Sequence, residues 1–432
     1  MSISPSAKFK ARSIEPPKLR FHNNNTGTRP IMGLIEYGPF DLENRALDKL
    51  SLIVVHDGTK VELINRLTQH LKKSAEDLLK INLEISKEII VDSTDVLGYI
   101  EKIEDELNEH QDKGSILLQV LRERTNTSAT SPYYLLRIKM LNREKPLPVQ
   151  SILTSTIRNL TPPIINQLIL SIYAKCGGIP WILAEKITAY LRKCIFIGFG
   201  SFVSPKNADF EEFQKVGFAV VYDNSGKMLF SDSFKAIDEE EKMSEEDLAM
   251  FTRRIIRKIE NISHDNEGIV VHKLGDVQND EMNIITKILK NSGFSFAFLG
   301  FPRDSLALVD LVRNTYADAG WYFHAGQQSI SDDTFLNTFY LQGFASPFKG
   351  GRKVNLIKYR IAYLWKAFLK PNIVNIYDDI ARQILYLSRI NFGTAVGKTK
   401  EPVTIHYTRR ALNLIKAGLS PEKLTTNVLH MI

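Results

Sequence analysis

The segment Tyr133–Gln150 reads YYLLRIKMLNREKPLPVQ, and Ile172–Leu183 reads IYAKCGGIPWIL. Together they bring two tyrosines, cationic side chains, a glutamine and a further lysine, Lys175, into one short stretch of alternating helix and strand. Such an array suits a terminal phosphate, because cations and amides donate charge-assisted hydrogen bonds to its oxygens and an aromatic ring stacks on an adjoining base. The stretch therefore predicts a phosphate site within an α/β domain.

Positive charge is concentrated in two regions of the chain. Residues 131–195 contain nine Lys/Arg and two Asp/Glu, and the last 82 residues contain 14 Lys/Arg and four Asp/Glu, whereas the whole chain has a net charge of +7. Acidic residues gather elsewhere, for example in DEEEKMSEED at Asp238–Asp247. Segregated charge of this kind predicts a polyanionic partner such as nucleic acid.

The overall composition is that of a soluble globular protein. Its 432 residues are 44% hydrophobic and 24% charged, and this length suggests two to three domains. No apolar run reaches the roughly 18 residues of a membrane helix, and the N-terminal region lacks the apolar core of a secretory signal. Cys176 and Cys194 lack zinc-ligand spacing, which fits a reducing cytosol. We therefore expect a cytoplasmic protein without membrane insertion.

The first part of the chain alternates predicted strands with predicted helices, which is typical of a parallel sheet. Ser131 and Pro132 are suited to start the helix that carries Tyr133, as N-cap and first helical residue. The glycine pair Gly177–Gly178 is suited to end the helix that carries Lys175. A Rossmann-like domain is predicted, with strands at Leu50–His56, Glu88–Val91, Ile116–Val120 and Val149–Leu153.

A second α/β domain is predicted to begin at Cys194–Phe202. Two further strands, VGFAVVYD and MLFSDSF, follow around the turn signal Asn224–Gly226. A helix, a strand, a second helix and another strand come next. Three antiparallel strands followed by this αβαβ order predict an RNase H-like fold.

These motifs resemble those of a short prokaryotic, archaeal-type Argonaute, which has MID and PIWI domains only. The resemblance rests on GLIEYGPFD, YY…R.K…PVQ, AKCGGIPWIL, IGFG, VVHKLG and LSRINFG…PVTIHYTRRA. It implies an N-terminal arm at 1–30, a Rossmann-like MID domain at 31–190 and an RNase H-like PIWI domain at 191–432.

The resemblance implies a pocket for the 5′-phosphate of a guide strand. The cation is open between two residues: Arg137 lies four after Tyr133, on the same helical face, whereas counting back from Gln150 selects Lys139. A divalent ion, expected to be Mg²⁺, is implied at the phosphate, with the terminal carboxylate of Ile432 as a ligand. The implied phosphate-binding residues are Tyr133, Arg137, Lys139, Gln150, Gln167 and Lys175.

The PIWI motifs lack the carboxylates that the family uses to cut nucleic acid. Such a centre holds two metal ions on oxygen ligands. Gly200 stands at the position of the first aspartate, Leu274 at that of the second, and Asn391 near that of the last ligand. The resemblance therefore implies a catalytically inactive protein, not an enzyme.

The function implied is guide-dependent recognition of invading nucleic acid, with a separately encoded effector protein giving the antiviral or anti-plasmid response. Guide RNA is expected over guide DNA, with target DNA. One alternative is a nuclease with a rearranged metal site at Asp276 or Glu281, and another is a guide-independent structural subunit. The expected contacts to nucleic-acid backbone are Arg352, Lys353, Lys358, Arg360, Arg409 and Arg410.

Overall fold

The structure, a computed structural model, forms two compact units. Within the described residues, the four-stranded unit comprises 18–184, 392 and 410–424, and the nine-stranded unit comprises 11–17, 185–391 and 401–409. The described residues are 11–45, 47–58, 61–91, 96–107, 114–122, 131–187, 194–204, 213–238, 244–262, 268–302, 309–310, 315–316, 319–331, 334–342, 356–365, 373–392 and 401–424.

The four-stranded unit is built on a parallel sheet with the strand order β5-β4-β6-β7. Strand β4 lies inside the sheet and is buried along nearly its whole length, as its apolar sequence KLSLIVVH predicts. The elements of this unit are β2 (Leu19–Arg20), β3 (Thr26–Gly27), α1 (Pro30–Tyr37), β4 (Lys49–His56), α2 (Val61–Ser74), β5 (Asn82–Ile90), α3 (Val96–Glu106), β6 (Ser115–Leu121), α4 (Pro132–Asn142), β7 (Val149–Leu153), α5 (Thr154–Arg158), α6 (Pro162–Lys175) and β8 (Ile182–Leu183).

Helices α4 and α6 begin and end as their local sequences predict. The Ser131 hydroxyl caps α4 by accepting from the Tyr134 backbone N–H at 3.5 Å, and Pro132 is the first helical residue. Helix α6 ends at Lys175, and Gly177 then adopts a φ of 95°, which favours glycine. Among the described helices, none is both long and apolar enough to cross a bilayer.

The nine-stranded unit has the strand order β1-β16-β17-β18-β13-β12-β9-β10-β11. Helix α10 is divided between the units, with Val403–Arg409 here and the rest in the four-stranded unit. The elements are β1 (Ala11–Ser13), β9 (Cys194–Ser204), β10 (Phe213–Tyr222), β11 (Met228–Asp238), α7 (Glu245–Ile262), β12 (Gly268–Leu274), α8 (Asn279–Asn291), β13 (Ser295–Phe301), β14 (Val309–Asp310), β15 (Thr315–Tyr316), β16 (Trp321–Ser331), β17 (Thr334–Leu341), β18 (Ile357–Trp365), α9 (Ile373–Ser388) and α10 (Val403–Lys416).

The predicted three-strand meander is present at one end of the nine-stranded sheet. Strand β10 pairs antiparallel with β9 and β11, and the hairpin turn contains Gly226 at a φ of 80°. Strand β12 pairs in parallel with β9, and β13 pairs in parallel with β12. In the chain, α7 precedes β12 and α8 connects β12 to β13. The apolar residues of these strands pack with the helices in one core around Phe199, Phe251 and Phe296. The predicted α/β fold class, a Rossmann-like domain followed by an RNase H-like domain, is confirmed.

Residues 11–27 of the predicted N-terminal arm are held by strand pairing. Strand β1 pairs antiparallel with β16, and the Arg12 guanidinium donates to both carboxylate oxygens of Asp378 at 3.1 and 3.3 Å. Further along, β2 pairs with β3 and β8 in the four-stranded unit. The arm is thus divided between the two units at Pro17 and Lys18.

Gly198→Ala is expected to lower the free energy of unfolding by about 1–3 kcal/mol, the usual cost of overpacking. A Cβ atom at Gly198 would lie 2.2 Å from the backbone oxygen of Thr404, so strand or helix must move. Thermal unfolding followed by circular dichroism measures the effect. Gly27→Ala is the matched control, because its Cβ would lie 3.7 Å from the nearest atom. Equal melting temperatures for the two variants would contradict the packing argument.

Candidate functional site

Helix α4 places Tyr133 and Arg137 on one face, one turn apart. Arg137 is 3% exposed, although arginine is seldom buried without a partner. Its Nη1 donates to the Tyr133 hydroxyl at 2.8 Å, and its guanidinium carbon lies 5.4 Å from the centroid of the Tyr133 ring. The tyrosine therefore holds the guanidinium in a fixed orientation.

The amino end of β7 meets the last residue of α6 at a single backbone oxygen. The Val149 carbonyl accepts from Arg137 Nη2 at 3.2 Å and from Lys175 Nζ at 2.8 Å. Lys175 is 2% exposed and sits at the carboxyl end of α6, where the helix dipole favours a cation. Two buried cations therefore converge on one oxygen atom; we call Tyr133, Arg137, Val149 and Lys175 the cation cluster.

The charge of this cluster is not neutralised by the protein groups that bond to it. Neither Arg137 nor Lys175 forms an ion pair with a carboxylate of the described residues. Burial lowers the pKa of Lys175 well below its ordinary value, and the charges of Arg137 and Arg410 lower it further. Burial, opposed by Tyr133, likewise lowers the pKa of Arg137. Two like charges buried close together repel each other. An anion that contacts both cations would therefore bind with a large favourable electrostatic free energy.

Arg137 also has spare hydrogen-bonding capacity inside the cluster. Its Nε atom is buried and donates to no acceptor in the part of the chain that the structure describes. A guanidinium has five N–H donors in a rigid fork that matches the oxygens of a phosphate. The cluster therefore retains an unused N–H donor of the kind that a phosphate oxygen accepts.

Lys139 lies apart from the cation cluster. It is two residues beyond Arg137, which turns it about 200° around the helix axis. Its side chain is 53% exposed, and its Nζ lies 3.2 Å from the carboxylate of Glu104 on α3. Of the two cations that the sequence left open, the structure places Arg137 beside Lys175.

The two predicted glutamines contact backbone carbonyls. Gln150 follows Val149 in β7, is half-buried, and donates to the Ser151 carbonyl at 3.1 Å. Gln167 on α6 donates to the Phe392 carbonyl at 3.0 Å. Gln150 is thus next in the chain to Val149 of the cluster. Gln167 instead connects α6 to the backbone of Phe392.

The turn after Lys175 is fixed by the carboxylate of Asp41, which is not among the site residues predicted from the sequence. Asp41 accepts from the Tyr173 hydroxyl at 2.7 Å and from the Ile179 backbone N–H at 2.8 Å. A Cβ atom at Gly178 would lie 2.4 Å from the Tyr173 ring, so this glycine permits close packing. Asp41 is the last residue of the GLIEYGPFD motif, and this motif is the sequence signal that could have identified it.

The segment after α10 lies against the end of α4. The Ser420 backbone N–H donates to the Asn142 side chain at 3.2 Å, and Lys423 Nζ donates to the Arg143 carbonyl at 3.1 Å. Arg410, predicted as a nucleic-acid contact, is close enough for its charge to affect Arg137 and Lys175. Ile432, the predicted metal ligand, lies outside the described residues.

Gly200 and Leu274 occupy neighbouring positions on β9 and β12. These strands are parallel, with Gly198 opposite His272, and alternate residues face opposite sides. Gly198 and His272 both contact Thr404, so Gly200 and Leu274 lie on the α10 side of the sheet. Neither side chain offers an oxygen, so these positions do not fit the carboxylate ligands of a metal ion.

The third position at which the sequence lacks an expected carboxylate, Asn391, is buried after α9. Its side-chain oxygen lies 3.5 Å from the Tyr407 hydroxyl. Among the described residues, no three or more His, Cys, Asp or Glu side chains lie close enough to share a metal ion. The amide of Asn391 offers an oxygen but not the negative charge of a carboxylate ligand.

Glu281, proposed from the sequence as an alternative metal ligand, lies on the other side of the same sheet. It accepts from the Ser201 hydroxyl at 3.0 Å and lies 3.2 Å from Lys273 Nζ. Ser201 follows Gly200 by one residue, and Lys273 precedes Leu274 by one residue. Both side chains therefore face the α7 and α8 side of the sheet. Glu281 therefore anchors α8 to the sheet.

The remaining predicted cations are partly neutralised within the nine-stranded unit. Arg360 Nη1 lies 2.5 Å from Asp276, the other alternative metal ligand, and Arg409 lies 2.8 Å from Glu401. Lys358 Nζ lies 5.7 Å from the centroid of the Tyr340 ring. Arg352 and Lys353 lie outside the described residues.

The free energy of unfolding is expected to depend on pH because the imidazole of His272 is buried. Burial lowers the pKa of its imidazole to about 3. Below its ordinary pKa of about 6.5, the unfolded chain binds a proton that the folded chain does not, so stability falls between pH 6.5 and 3 and is unaffected above. We expect a loss of about 2 kcal/mol at pH 5 relative to pH 8.

Urea denaturation of the wild type and His272→Gln at both pH values measures this contribution. The glutamine does not titrate, so the pH-dependent difference between the two proteins belongs to His272. Parallel losses of stability in both proteins would contradict a neutral, buried imidazole.

The family model described as the Piwi domain matches residues 118–298. The comparison with curated proteins gives no match. Three solved structures are similar to the chain: Aa-Ago with externally bound siRNA (TM-score 0.66, 18% identity, covering 96% of this chain and 54% of that one), Clostridium butyricum Argonaute bound to a guide DNA and a 19-mer target DNA (0.69, 15%, 98% and 55%), and Drosophila Piwi (0.69, 14%, 97% and 56%).

The chain thus has an Argonaute-like fold and contains a Piwi-domain match. It spans a little more than half the length of the solved structures that it resembles. At these levels of identity the likeness shows the fold and not the chemistry of the site.

Proposed function

We propose that this protein is a short, MID–PIWI-type Argonaute that binds the 5′-phosphate of a guide strand and recognises a target by pairing, without cutting it. The observation that carries the proposal is the cation cluster, in which Arg137 and Lys175 are buried on one carbonyl oxygen and have no carboxylate partner among the described residues. A group with two negative charges compensates this arrangement better than any uncharged ligand.

A terminal phosphate fits the cluster better than an internal phosphodiester. A terminal phosphate has a charge near −2 and three acceptor oxygens, whereas an internal linkage carries one charge and continues in both directions. The buried position of Lys175 suits a strand that ends there. Tyr133 would pack against the first nucleotide, and Gln150 would donate to the phosphate on rotation of its side chain.

A Mg²⁺ ion at this phosphate would need oxygen ligands from outside the cation cluster. The side chains that form the cluster are cations and a tyrosine, which do not fit a metal ion by themselves. The carboxylate of Ile432 is the ligand that the resemblance supplies.

Target recognition would come from base pairing to the guide, with the protein contacting the duplex backbone. We propose a guide RNA and a DNA target. Arg352, Lys353, Arg409 and Arg410 remain candidate backbone contacts, and the effect of Arg410 on the cation cluster favours a contact close to the first nucleotides.

We propose that the protein does not act as a nuclease. The positions of Gly200, Leu274 and Asn391 provide no carboxylate. The alternative metal site at Asp276 and Glu281 is disfavoured, because each acid is paired with a cation and Glu281 faces the opposite side of the sheet.

Incubation of a guide-loaded protein with end-labelled matched target and Mg²⁺ or Mn²⁺ tests this point. We expect the target to remain intact. Site-specific cleavage that disappears in Glu281→Ala would establish the rearranged nuclease instead.

The response to a recognised target would come from a separately encoded effector protein in cytoplasmic antiviral or anti-plasmid defence. The competing role is a structural subunit that uses no guide. Purification of the protein from its host, followed by 5′ end-labelling of the bound nucleic acid before and after phosphatase treatment, separates the two. We expect short strands that accept label only after phosphatase treatment. Their absence would leave the structural role.

A further inference from the structure

A buried glutamine joins the two elements that carry the cation cluster. Gln119 in β6 is completely buried, and all of its hydrogen-bonding groups face protein. Its amide nitrogen donates to the Pro132 carbonyl at 3.1 Å and to the Tyr99 hydroxyl at 3.3 Å, and its amide oxygen accepts from the Ser151 hydroxyl at 2.9 Å.

Two of these three partners are chain neighbours of proposed phosphate-binding residues. Pro132 is the first residue of α4 and precedes Tyr133, whereas Ser151 follows Gln150 in β7. Helix α4 and strand β7 are also the elements that Arg137 connects through the Val149 carbonyl. The glutamine therefore holds the start of α4 at a set distance from β7.

We propose that Gln119 is a positioning residue for the phosphate site: it sets the register between α4 and β7 and so the separation of the groups that bind the guide 5′-phosphate. The inference rests on the proposed function. A small movement of α4 along β7 would separate Arg137 from Lys175, because both reach the same Val149 oxygen. Networks of buried hydrogen bonds restrict such movement, since a displaced partner would remain unsatisfied.

The third partner of Gln119 provides a matched control. Tyr99 belongs to α3, which carries none of the proposed phosphate-binding residues. Tyr99 is buried, so Tyr99→Phe removes a buried hydrogen bond from the same glutamine. It leaves the links to Pro132 and Ser151 in place.

The experiment compares the affinities of full-length variants for two oligonucleotides of one sequence, one with a 5′-phosphate and one with a 5′-hydroxyl. The ratio of the two dissociation constants measures phosphate recognition separately from contacts to the rest of the strand. Gln119→Met is expected to reduce this ratio about tenfold, and Ser151→Ala about threefold, the effects of hydrogen bonds in this energy range. Ser151→Thr retains the hydroxyl and should restore the wild-type ratio.

Tyr99→Phe should lower the melting temperature without changing the ratio. An unchanged ratio in both Gln119→Met and Ser151→Ala would overturn the inference, as would an equal fall in Tyr99→Phe. A wild-type protein that does not distinguish the two oligonucleotides would instead overturn the proposed function, before any variant is measured.

Discussion

Lys175→Met is expected to reduce affinity for a 5′-phosphorylated guide by about 10- to 100-fold, since a hydrogen bond to a charged group contributes about 1.5–3 kcal/mol. The ammonium of Lys175 is buried at the cation cluster, where water screens its charge poorly. The same oligonucleotide with a 5′-hydroxyl should bind wild type and variant with similar affinity. Fluorescence anisotropy with both oligonucleotides measures the difference.

The same substitution is expected to stabilise the ligand-free protein. Methionine has a similar length and no charge, and replacing buried charges by apolar groups is often neutral or stabilising by about 1–4 kcal/mol. The loss of one hydrogen bond to Val149 is partly offset, since Arg137 still donates to that oxygen. Lys139→Met is the control, because its exposed side chain should change neither affinity nor melting temperature appreciably.

A Lys175→Met protein that binds phosphorylated guide as tightly as wild type would remove the main support for the proposed site. A large loss of stability in the same variant would show that the ammonium is satisfied in the ligand-free protein, against the charge argument. The two measurements therefore test separate steps of the proposal.

Arg137→Leu is the second substitution with a large expected effect. It removes the guanidinium that connects Tyr133 to the Val149 carbonyl and should reduce affinity for phosphorylated guide by about 10- to 100-fold, as for a charge-assisted pair. Lys139→Ala should change affinity less than about threefold, because an exposed ion pair with Glu104 contributes little. Direct competition between labelled and unlabelled guide compares the two variants.

The reverse order of effects, with Lys139→Ala the more damaging, would favour the alignment that counts back from Gln150. The double variant Arg137→Leu/Lys175→Met tests whether the two cations bind the same phosphate. Because both cations bind one anion, their losses should not add, as is usual for residues in one network.

Much of the fold could be predicted from the sequence because its signals are local. The Ser131 cap, the glycine after α6 and the turn around Gly226 each act within a few residues, and they bound α4, α6 and the β10–β11 hairpin as expected. The buried run of β4 likewise predicts a central strand of a parallel sheet.

The rest of the site depends on contacts between distant parts of the chain. Val149 contributes a backbone oxygen, which leaves no signature in the side-chain sequence. Arg137 and Lys139 look alike in one helix, and the packing of α4 on β7 decides which of them is buried. The pairing of β1 with β16 joins residues about 310 positions apart, and no local pattern of the N-terminal arm predicts that partner.

The shared Val149 oxygen has a consequence for the life of the protein in the cell. If the proposed guide binds only the folded form, it adds to the stability of that form by mass action, and the gain is largest where the empty form carries an electrostatic cost. Newly made molecules without a guide should therefore open more often and be cleared sooner by proteases. The cellular abundance of the protein would then follow the supply of guides. A host with few guides would retain few molecules of the protein without a bound guide.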